Sequence, residues 1–243
     1  MLLPKLKRYN KDFKYSYSFG IYPTLGLLKF KKEKVLKVLF KSEVGSNEKE
    51  IEEIKGLCEK EGIPFEINDR AIEKIAYKEN TYVIGIFNKY EEELSKDGDH
   101  IVLVNPRNMG NVGTIIRTMK GFNFNDLALI KPAVDVFDPK VVSSTTGVIF
   151  QTRVEYFNSI EEYIGEYGDH NLYTFILKGK KNIKDVKFNT PFSLIQGNEA
   201  DGLPEEYLNI GESIYIPHSE DIDSLNLSIA TGIGIWESRR GLE

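Results

Sequence analysis

Two short apolar runs in the last third of the chain, residues 192–195 and 214–216, have the length and composition of buried strands. Each run ends in a loop rich in Gly, Pro, Asn and Asp, where backbone groups are free to hold a ligand. The second loop leads into a segment of helical period, residues 225–239. Its predicted apolar face consists of Leu225, Ile229, Ile233 and Trp236. A strand, a polar loop and a helix in succession are how α/β proteins build small-molecule sites.

The first 88 residues predict a small α/β domain of order αβαβαβ. Strand patterns occupy residues 35–40, 64–67 and 81–87. Residues 47–61 have the period of a helix, with Asn47 as its expected N-cap and Glu50 three residues later. Asn68 is expected to cap a further short helix.

A charged stretch without apolar period, residues 89–100, predicts a linker. We therefore expect domains at residues 1–88 and 101–243. The second domain opens with the strand pattern 101–104, and further strands are predicted at 127–130 and 172–177, with a helix starting near Pro139. Strands that alternate with helices predict an α/β fold with a mainly parallel sheet.

Composition narrows the class of protein. The chain has 243 residues, 41% hydrophobic and 28% charged, which is typical of a soluble globular protein. The single cysteine excludes an internal disulfide, and three scattered histidines predict no metal site. No apolar run approaches the ~20 residues that span a bilayer, and the N-terminus lacks a signal-peptide pattern, so we expect a cytoplasmic protein.

The net charge of -5 argues mildly against a nucleic-acid partner, but the first forty residues are basic. Lysines that neutralise phosphates and aromatics that stack on bases together make a surface for single-stranded RNA. An equally weighted alternative is a solvated basic face beside ordinary core aromatics. The segment contains the basic residues Lys5, Lys7, Arg8, Lys11 and Lys14, and the aromatic residues Phe13, Tyr15, Tyr17, Phe19 and Tyr22.

The loop after strand 101–104 is polar and contains Arg107, and a helical period begins at Val112. Asn111 is the expected N-cap of that helix, and Arg117 lies within about two turns of it. An arginine beside a helix N-terminus is suited to binding phosphate, although the spacing alone favours a capped helix with a surface arginine. The chain contains neither a P-loop pattern nor a G-x-G-x-x-G pattern, so a kinase, ATPase or ordinary dehydrogenase is not indicated.

Three motifs in order resemble the SpoU/TrmH branch of the SPOUT RNA methyltransferases, which transfer a methyl group from S-adenosylmethionine to a ribose 2′-hydroxyl. They are residues 111–118 (NVGTIIRT), residues 194–203 (LIQGNEADGL), and Ile216-Pro217 with residues 224–230 (SLNLSIA). The resemblance covers residues 101–237. Less specifically, the first domain resembles the ribosomal-protein-like RNA-binding extension that precedes this catalytic domain in many members.

This resemblance implies a deep C-terminal trefoil knot formed by residues 192–239 and a homodimer with the active site near its interface. It also implies S-adenosylmethionine held mainly by backbone groups of the knot loops. Gly197, Ile216 and Leu225 match family positions that contact the cofactor, and we expect Ile195, Pro217 and Asn226 to contact it as well.

The resemblance further implies catalytic roles for Arg117, Asn111, Glu199, Asn226 and Ser224. Arg117 matches the family arginine assigned to activating the hydroxyl. Because a guanidinium has a pKa above ~12 and is a poor base, we favour phosphate anchoring and stabilisation of alkoxide charge. Asn226 and Ser224 have a structural alternative as caps of the last helix, and Glu199 has one as a loop carboxylate that fixes the knot.

One departure concerns residues 143–147, which read SSTTG where the family often has Arg-Ala-Ser-x-Gly. The missing arginine weakens the case for RNA contacts there. Three functions remain open: a ribose 2′-O-methyltransferase acting on ribosomal RNA in preference to transfer RNA, a base-methylating SPOUT enzyme, and a non-catalytic RNA-binding or ribosome assembly factor.

Overall fold

The computed structural model describes residues 6–43 and 45–240. Lys5, the first residues of the predicted first domain and the last residues of the predicted second domain lie outside the described residues. The chain divides into two compact units, defined as the first unit (residues 1–90 and 135–151) and the second unit (residues 91–134 and 152–243). The described strands are β1 Tyr15–Phe19, β2 Val35–Phe40, β3 Phe65–Ile67, β4 Val83–Asn88, β5 His100–Val104, β6 Asp126–Ile130, β7 Arg153–Phe157, β8 Asn171–Phe175, β9 Lys181–Asn182, β10 Phe192–Gln196 and β11 Glu212–Tyr215. The described α-helices are α1 Ile21–Phe30, α2 Glu48–Glu61, α3 Asp69–Ile75, α4 Met109–Gly121, α5 Pro139–Ser144, α6 Ile160–Tyr167 and α7 Leu227–Arg239.

The first unit is built on a four-stranded sheet of order β1-β4-β2-β3. Strand β4 is antiparallel to β1 and β2, and β2 is parallel to β3. Side chains of β2 alternate between two buried clusters, so Val38 packs with Ile51 of α2 while Leu39 packs with Ile72 of α3. The predicted helices and strands of this region are confirmed, and the predicted order αβαβαβ corresponds to α1-β2-α2-β3-α3-β4 and lacks only β1.

Strand β1 changes the interpretation of the aromatic residues. Tyr15, Tyr17 and Phe19 are buried in the sheet, so for these three residues the alternative of ordinary core aromatics is confirmed and the alternative of stacking on RNA bases is wrong. Both faces of β1 are covered: the Tyr17 ring belongs to the hydrophobic cluster, and Ser16 on the other face donates a hydrogen bond to the carbonyl of Phe137. Their aromatic surface is therefore used for folding.

Residues 135–151 pack in the first unit, which corrects the prediction of one continuous second domain over 101–243. The carboxylate of Asp135 forms an ion pair with Lys89 Nζ at 2.7 Å. Near the end of the segment, Gly147 has φ +91°, and a Cβ atom there would lie 2.7 Å from the carbonyl oxygen of Tyr22. Glycine is required at this close backbone approach.

The second unit contains a seven-stranded sheet of order β7-β6-β5-β10-β8-β11-β9. Every pairing in it is parallel, as the alternation of strands and helices predicted. Strand β10 lies between β5 and β8, which places the loops that follow β5 and β10 side by side. Strand β7 and helix α6 were not predicted.

Helices α4 and α7 pack on each other, with Gly232 against Thr118 and Arg239 Nε donating to the carbonyl of Phe122 at 3.4 Å. The predicted apolar face of α7 does not face the core, because Ile229 is 56% and Trp236 57% exposed. Small and polar side chains allow α7 to approach the sheet instead. The buried side of α7 consists of Leu227, Thr231, Gly234, Ile235 and Ser238.

Residues 94–96, inside the predicted linker, are bound to the second unit by two buried histidines. His100 Nε2 donates to the carbonyl of Ser95 and His170 Nε2 to that of Lys96, both at 2.8 Å, and the two rings lie 4.4 Å apart. Burial, with a smaller contribution from His170, lowers the pKa of His100 to about 4 despite the raising influence of the Ser95 carbonyl, Asp126 and Asp99.

No described helix is long and apolar enough to cross a membrane, and no three His, Cys, Asp or Glu side chains of the described residues are grouped to hold a metal ion.

The lowered pKa of the buried His100 predicts a pH dependence of stability. Because the folded pKa of His100, about 4, lies below the ordinary value of 6.5, the unfolded chain binds a proton that the folded chain does not bind between those pH values. The free energy of unfolding should fall by about 3 kcal/mol as the pH drops from 6.5 to 4. Urea unfolding of the wild type and of His100→Gln between pH 6.5 and 4 measures this change in the free energy of unfolding. The substitution should flatten the profile, and equal profiles would contradict the assignment.

Candidate active site

Two loops meet at the carboxyl edge of the second unit's sheet, one after β5 and one after β10. They are joined by the carboxylate of Glu199, which accepts hydrogen bonds from the backbone N–H groups of Arg107 and Asn108, each at 3.2 Å. Asn111 Nδ2 donates to the same carboxylate at 3.0 Å. The Asn111 amide oxygen in turn accepts from Asn226 Nδ2 at 3.3 Å. Three of the predicted catalytic residues, Asn111, Glu199 and Asn226, therefore form one hydrogen-bonded chain.

Helix α4 begins earlier than predicted, so the expectation that Asn111 is its N-cap is wrong. Asn108 is the cap: its side-chain oxygen accepts from the N–H groups of Gly110 at 2.8 Å and Asn111 at 3.1 Å. The cap moves back because Met109 and Gly110 adopt helical geometry in the first turn. Asn111 thus lies one turn inside the helix, and its amide is available to bind Glu199 and Asn226.

The environment of Glu199 favours its ionised form. Burial acts to raise its pKa, but the hydrogen bonds from the Asn111 side chain and from the backbone N–H groups of Arg107 and Asn108 outweigh burial and lower the pKa below its ordinary value. The carboxylate also lies at the positive end of the α4 dipole. A carboxylate held ionised by three donors positions its neighbours and is poorly suited to accept a proton.

Asn226 caps the last helix, as its structural alternative predicted, and it also contacts Asn111. Its side-chain oxygen caps α7 by accepting from the Ser228 N–H at 2.9 Å and the Ser228 hydroxyl at 2.7 Å, while its Nδ2 contacts Asn111. Ser224 is exposed and makes no hydrogen bond among the described residues, so it does not cap α7. The capping alternative therefore applies to Asn226 alone.

Arg117 is exposed on α4 and makes no ion pair or side-chain hydrogen bond within the described part of the chain. Arg107 is also exposed, and only its backbone N–H takes part in the hydrogen-bonded chain. Both guanidinium groups are therefore free to meet an anion.

A cavity of about 340 Å³ lies beside this chain of polar groups. Its volume is within the range of small-molecule sites. Its walls come from the ends of β8, β10 and β11, the loops that follow them, and the start of α7. Glu199 lies on its rim. The predicted residues that line it are Gly197, Ile216, Leu225, Glu199 and Ser224.

Three residues predicted to contact a cofactor do not line the cavity: Ile195, Pro217 and Asn226. Ile195 points to the opposite face of β10 and packs in the core with Val102 and Ala128. Successive strand residues face opposite sides, so Gln196 faces the cavity instead. Gln196 is 2% exposed, and its Nε2 has no hydrogen-bond partner among the described residues. Gln196 was assigned no role from the sequence, although it lies within the motif of residues 194–203.

Gly197 gives the loop its close fold. A Cβ atom at this position would lie 2.0 Å from the carbonyl carbon of Gly202, so only glycine is compatible with the loop. The loop is closed further by Asn198, whose side-chain oxygen accepts from the N–H groups of Ala200 and Asp201, both at 2.8 Å. Residues 197–203 of this closely folded loop consequently line the cavity.

The SpoU rRNA Methylase family matches residues 99–236, more than half of the chain. The chain belongs to the SpoU rRNA methylase family. Members of this family are RNA 2′-O-methyltransferases. The match begins at the strand that opens the second unit and ends within α7.

Three relatives are similar to this SpoU family member. An uncharacterized tRNA/rRNA methyltransferase of Synechocystis is 27% identical over 143 residues, 58% of this chain, and this match spans about half of that relative's length (52%). The tRNA (cytidine-2′-O-)-methyltransferase TrmJ of Methanocaldococcus jannaschii is 28% identical, covering 56% of this chain and 65% of its own. The 23S rRNA (adenosine(1067)-2′-O)-methyltransferase of Streptomyces azureus is 25% identical, covering 76% and 73%.

Solved structures resemble the fold over nearly the whole chain. The AdoMet-bound rRNA methyltransferase of Sinorhizobium meliloti superimposes with a TM-score of 0.79 at 24% identity, covering 95% of this chain and 88% of that one. The SpoU methyltransferase AviRb of Streptomyces viridochromogenes, in complex with AdoMet, gives 0.81 at 19% identity, covering 94% and 91%. At these identities the likeness establishes the α/β fold with its mostly parallel sheet.

The hydrogen-bonded chain of this family member predicts a cost for removing Glu199. Glu199→Ala leaves the N–H groups of Arg107 and Asn108 and the Asn111 amide without their acceptor, which should lower the free energy of unfolding by about 1–3 kcal/mol. Asp201→Ala is the matched control, since it removes an exposed carboxylate of the same loop whose side chain accepts no hydrogen bond among the described residues. Urea unfolding compares the two variants. Equal stabilities would show that the carboxylate does not hold α4.

Proposed function

We propose that this chain transfers a methyl group from S-adenosylmethionine to a ribose 2′-hydroxyl of RNA. The observation that carries the proposal is the hydrogen-bonded chain Glu199–Asn111–Asn226 at the rim of the 340 Å³ cavity. Family membership supplies the reaction class. Two relatives similar to the chain bear names of ribose 2′-O-methyltransferases.

The cavity suits S-adenosylmethionine in its chemistry. Ile214, Ile216 and Leu225 offer apolar walls for a flat base, and the loop beginning at Gly197 offers backbone groups for polar atoms. The unpaired Nε2 of Gln196 is a buried donor that a ligand acceptor would satisfy. The bound cofactor would supply an electrophilic methyl group.

The residues of this chain would position the RNA and manage the charge of its hydroxyl. Glu199, held ionised by three donors, orients Asn111 and the start of α4. Arg117, two turns further along α4 and free of ion pairs in the described residues, would anchor the phosphate of the target nucleotide and stabilise negative charge that develops on its 2′-oxygen. A guanidinium donates hydrogen bonds without giving up its proton, so Arg117 is a binding and stabilising group and not a base.

Ribosomal RNA is the substrate class that we favour. The match to the Streptomyces azureus 23S rRNA enzyme covers 76% of this chain and so extends beyond the 58% covered by the catalytic region alone. TrmJ, a transfer RNA enzyme, matches 56%. We infer that the first unit binds the RNA. We also infer that residues 89–100 link it to a methyltransferase domain, which does not include residues 135–151 because they belong to the first unit. An RNA substrate is consistent with a cytoplasmic enzyme.

A knotted C-terminal segment and a homodimer complete the proposal. In support of the knot, β10 inserts between β5 and β8, and α7 then packs on α4. In support of the dimer, α7 exposes Ile229 and Trp236, large apolar side chains that a partner copy would cover. Sedimentation of the purified chain tests the dimer, and a monomeric mass at micromolar concentration would contradict it.

The reaction is tested with methyl-labelled S-adenosylmethionine and unmodified ribosomal and transfer RNA transcripts, digested to nucleosides afterwards. Label in a 2′-O-methyl nucleoside of ribosomal RNA supports the proposal. Label in a base would instead indicate a base-methylating enzyme, and absence of both transfer and cofactor binding would indicate an assembly factor.

Arg117→Ala should separate transfer from cofactor binding. Because Arg117 does not line the cavity, we expect the rate of transfer to fall by about 10²–10³-fold while the Kd for S-adenosylmethionine stays within about twofold. Lys184→Ala, which removes an exposed positive charge from the same unit, is the control. Calorimetric titration gives the Kd and the labelled-methyl assay gives the rate. A parallel loss of cofactor affinity would refute this division of roles.

A further inference from the structure

The first unit contains a cavity of about 690 Å³ that the methyl-transfer reaction does not use. Its walls come from β1, from the residue that follows β2, from the end of α3 with the loop after it, and from the start of α5. All of these segments belong to the same unit. The residues that line it are Arg8, Tyr9, Phe19, Lys41, Ile72, Glu73, Ile75–Glu79 and Asp138–Lys140.

An exposed but immobilised ring forms part of this cavity. Tyr77 is 42% exposed, yet its hydroxyl is hydrogen-bonded to Ser143 Oγ at 2.6 Å and donates to the carbonyl of Pro139 at 3.2 Å. The ring also meets Phe19 edge to face, with the centroids 4.8 Å apart. A flat surface that is fixed before a ligand arrives loses little entropy on binding.

Tyr9 provides a second fixed ring. Its hydroxyl donates a hydrogen bond to the carboxylate of Asp135, and Lys89 Nζ lies 4.9 Å from its ring centroid. Residues 135–143 therefore hold both tyrosines, although they are distant from them in sequence. This explains the departure at position 143: Ser143, which stands where the family often has arginine, supports Tyr77.

Four positively charged side chains surround the rings, namely Arg8, Lys41, Lys78 and Lys140. None of them forms an ion pair with a carboxylate among the described residues, and Lys78 Nζ lies 5.9 Å from the ring centroid of Tyr77. Three carboxylates share the wall: Asp138, which caps α5 by accepting from the Lys140 N–H at 2.8 Å, and the exposed Glu73 and Glu79. The wall therefore carries the four cations and only two carboxylates without a capping role, Glu73 and Glu79.

We infer that this cavity binds an unpaired nucleotide of RNA, with its base stacked on Tyr77 and its flanking phosphates paired with the free cations. Fixed aromatic surfaces beside free positive charges are how proteins bind single strands. Only an unpaired base presents an open face to such a ring, so the site selects loops and bulges over duplex RNA. The inference rests on the proposed function in that RNA is the substrate, but it concerns a site in the other unit.

The inference is tested by fluorescence anisotropy of a labelled twelve-nucleotide RNA of mixed sequence, used single-stranded and annealed to its complement. Tyr77→Ala in the full chain should weaken binding of the single strand by about 10–100-fold and leave duplex binding within about twofold. Tyr77→Phe keeps the ring and should stay within about threefold. Tyr22→Ala is the matched control, since Tyr22 is 66% exposed in the same unit and does not line the cavity. If Tyr77→Ala bound the single strand as Tyr22→Ala does, the inference would be overturned.

Two further measurements keep the outcome interpretable. The double variant Lys78→Ala with Lys140→Ala should reduce the slope of log Kd against log salt by about 1–2, even if Tyr77→Ala does not fold, and an unchanged slope would overturn the inference. Cofactor binding of each variant should equal that of the wild type. Single-strand binding that depends on Tyr77 in a chain that transfers no methyl group would refute the proposed reaction and still support this site, so the two failures are distinguishable.

Discussion

The contact between the Glu199 carboxylate and the N-terminus of α4 is the interaction on which the second unit's site depends. It joins two loops that are about ninety residues apart in sequence, because its acceptor follows β10 and its donors follow β5. The donors are the backbone N–H groups of the α4 N-cap, Asn108, and of Arg107 before it, and the carboxylate accepts from both while the α4 dipole favours its charge. Asn111 then relays the contact to the cap of α7. The rim of the cavity is thereby fixed before any ligand binds.

A comparable constraint organises the first unit. Residues 135–151 leave the parallel sheet, pass against β1 and α1, and return to begin β7. Gly26 and Gly147 permit this path, since a Cβ atom on either would lie 2.7 Å from a backbone oxygen. The same segment supplies Asp135, Pro139 and Ser143, which hold Tyr9 and Tyr77 in place. A segment of the sequence that resembles the catalytic domain therefore shapes the wall of the first unit's cavity.

An error and an open alternative share one physical cause. The apolar stripe of α7 was expected to face the core, and for the aromatic residues of β1 a surface for RNA and a place in the core were equal alternatives. In the structure Ile229 and Trp236 are exposed, while Tyr15 and Tyr17 are buried. Periodicity shows which residues share a face of an element, but the packing of other elements decides what covers that face. Helix α7 turns its small residues inward because Gly234 lies against Phe175, where a Cβ atom would be 2.9 Å from the ring.

The sequence by itself determined the family and most of the elements. Three motifs identify the family, and the strand patterns are recovered in β2, β3, β4, β5, β6, β8, β10 and β11. These features are local, since each depends on residues close together in the chain. Tertiary structure alone decided that Glu199 binds the backbone at the start of α4, that Gln196 and not Ile195 faces the cavity, and that residues 135–151 belong to the first unit. Each of these depends on which distant segment comes into contact, and local pattern does not contain that information.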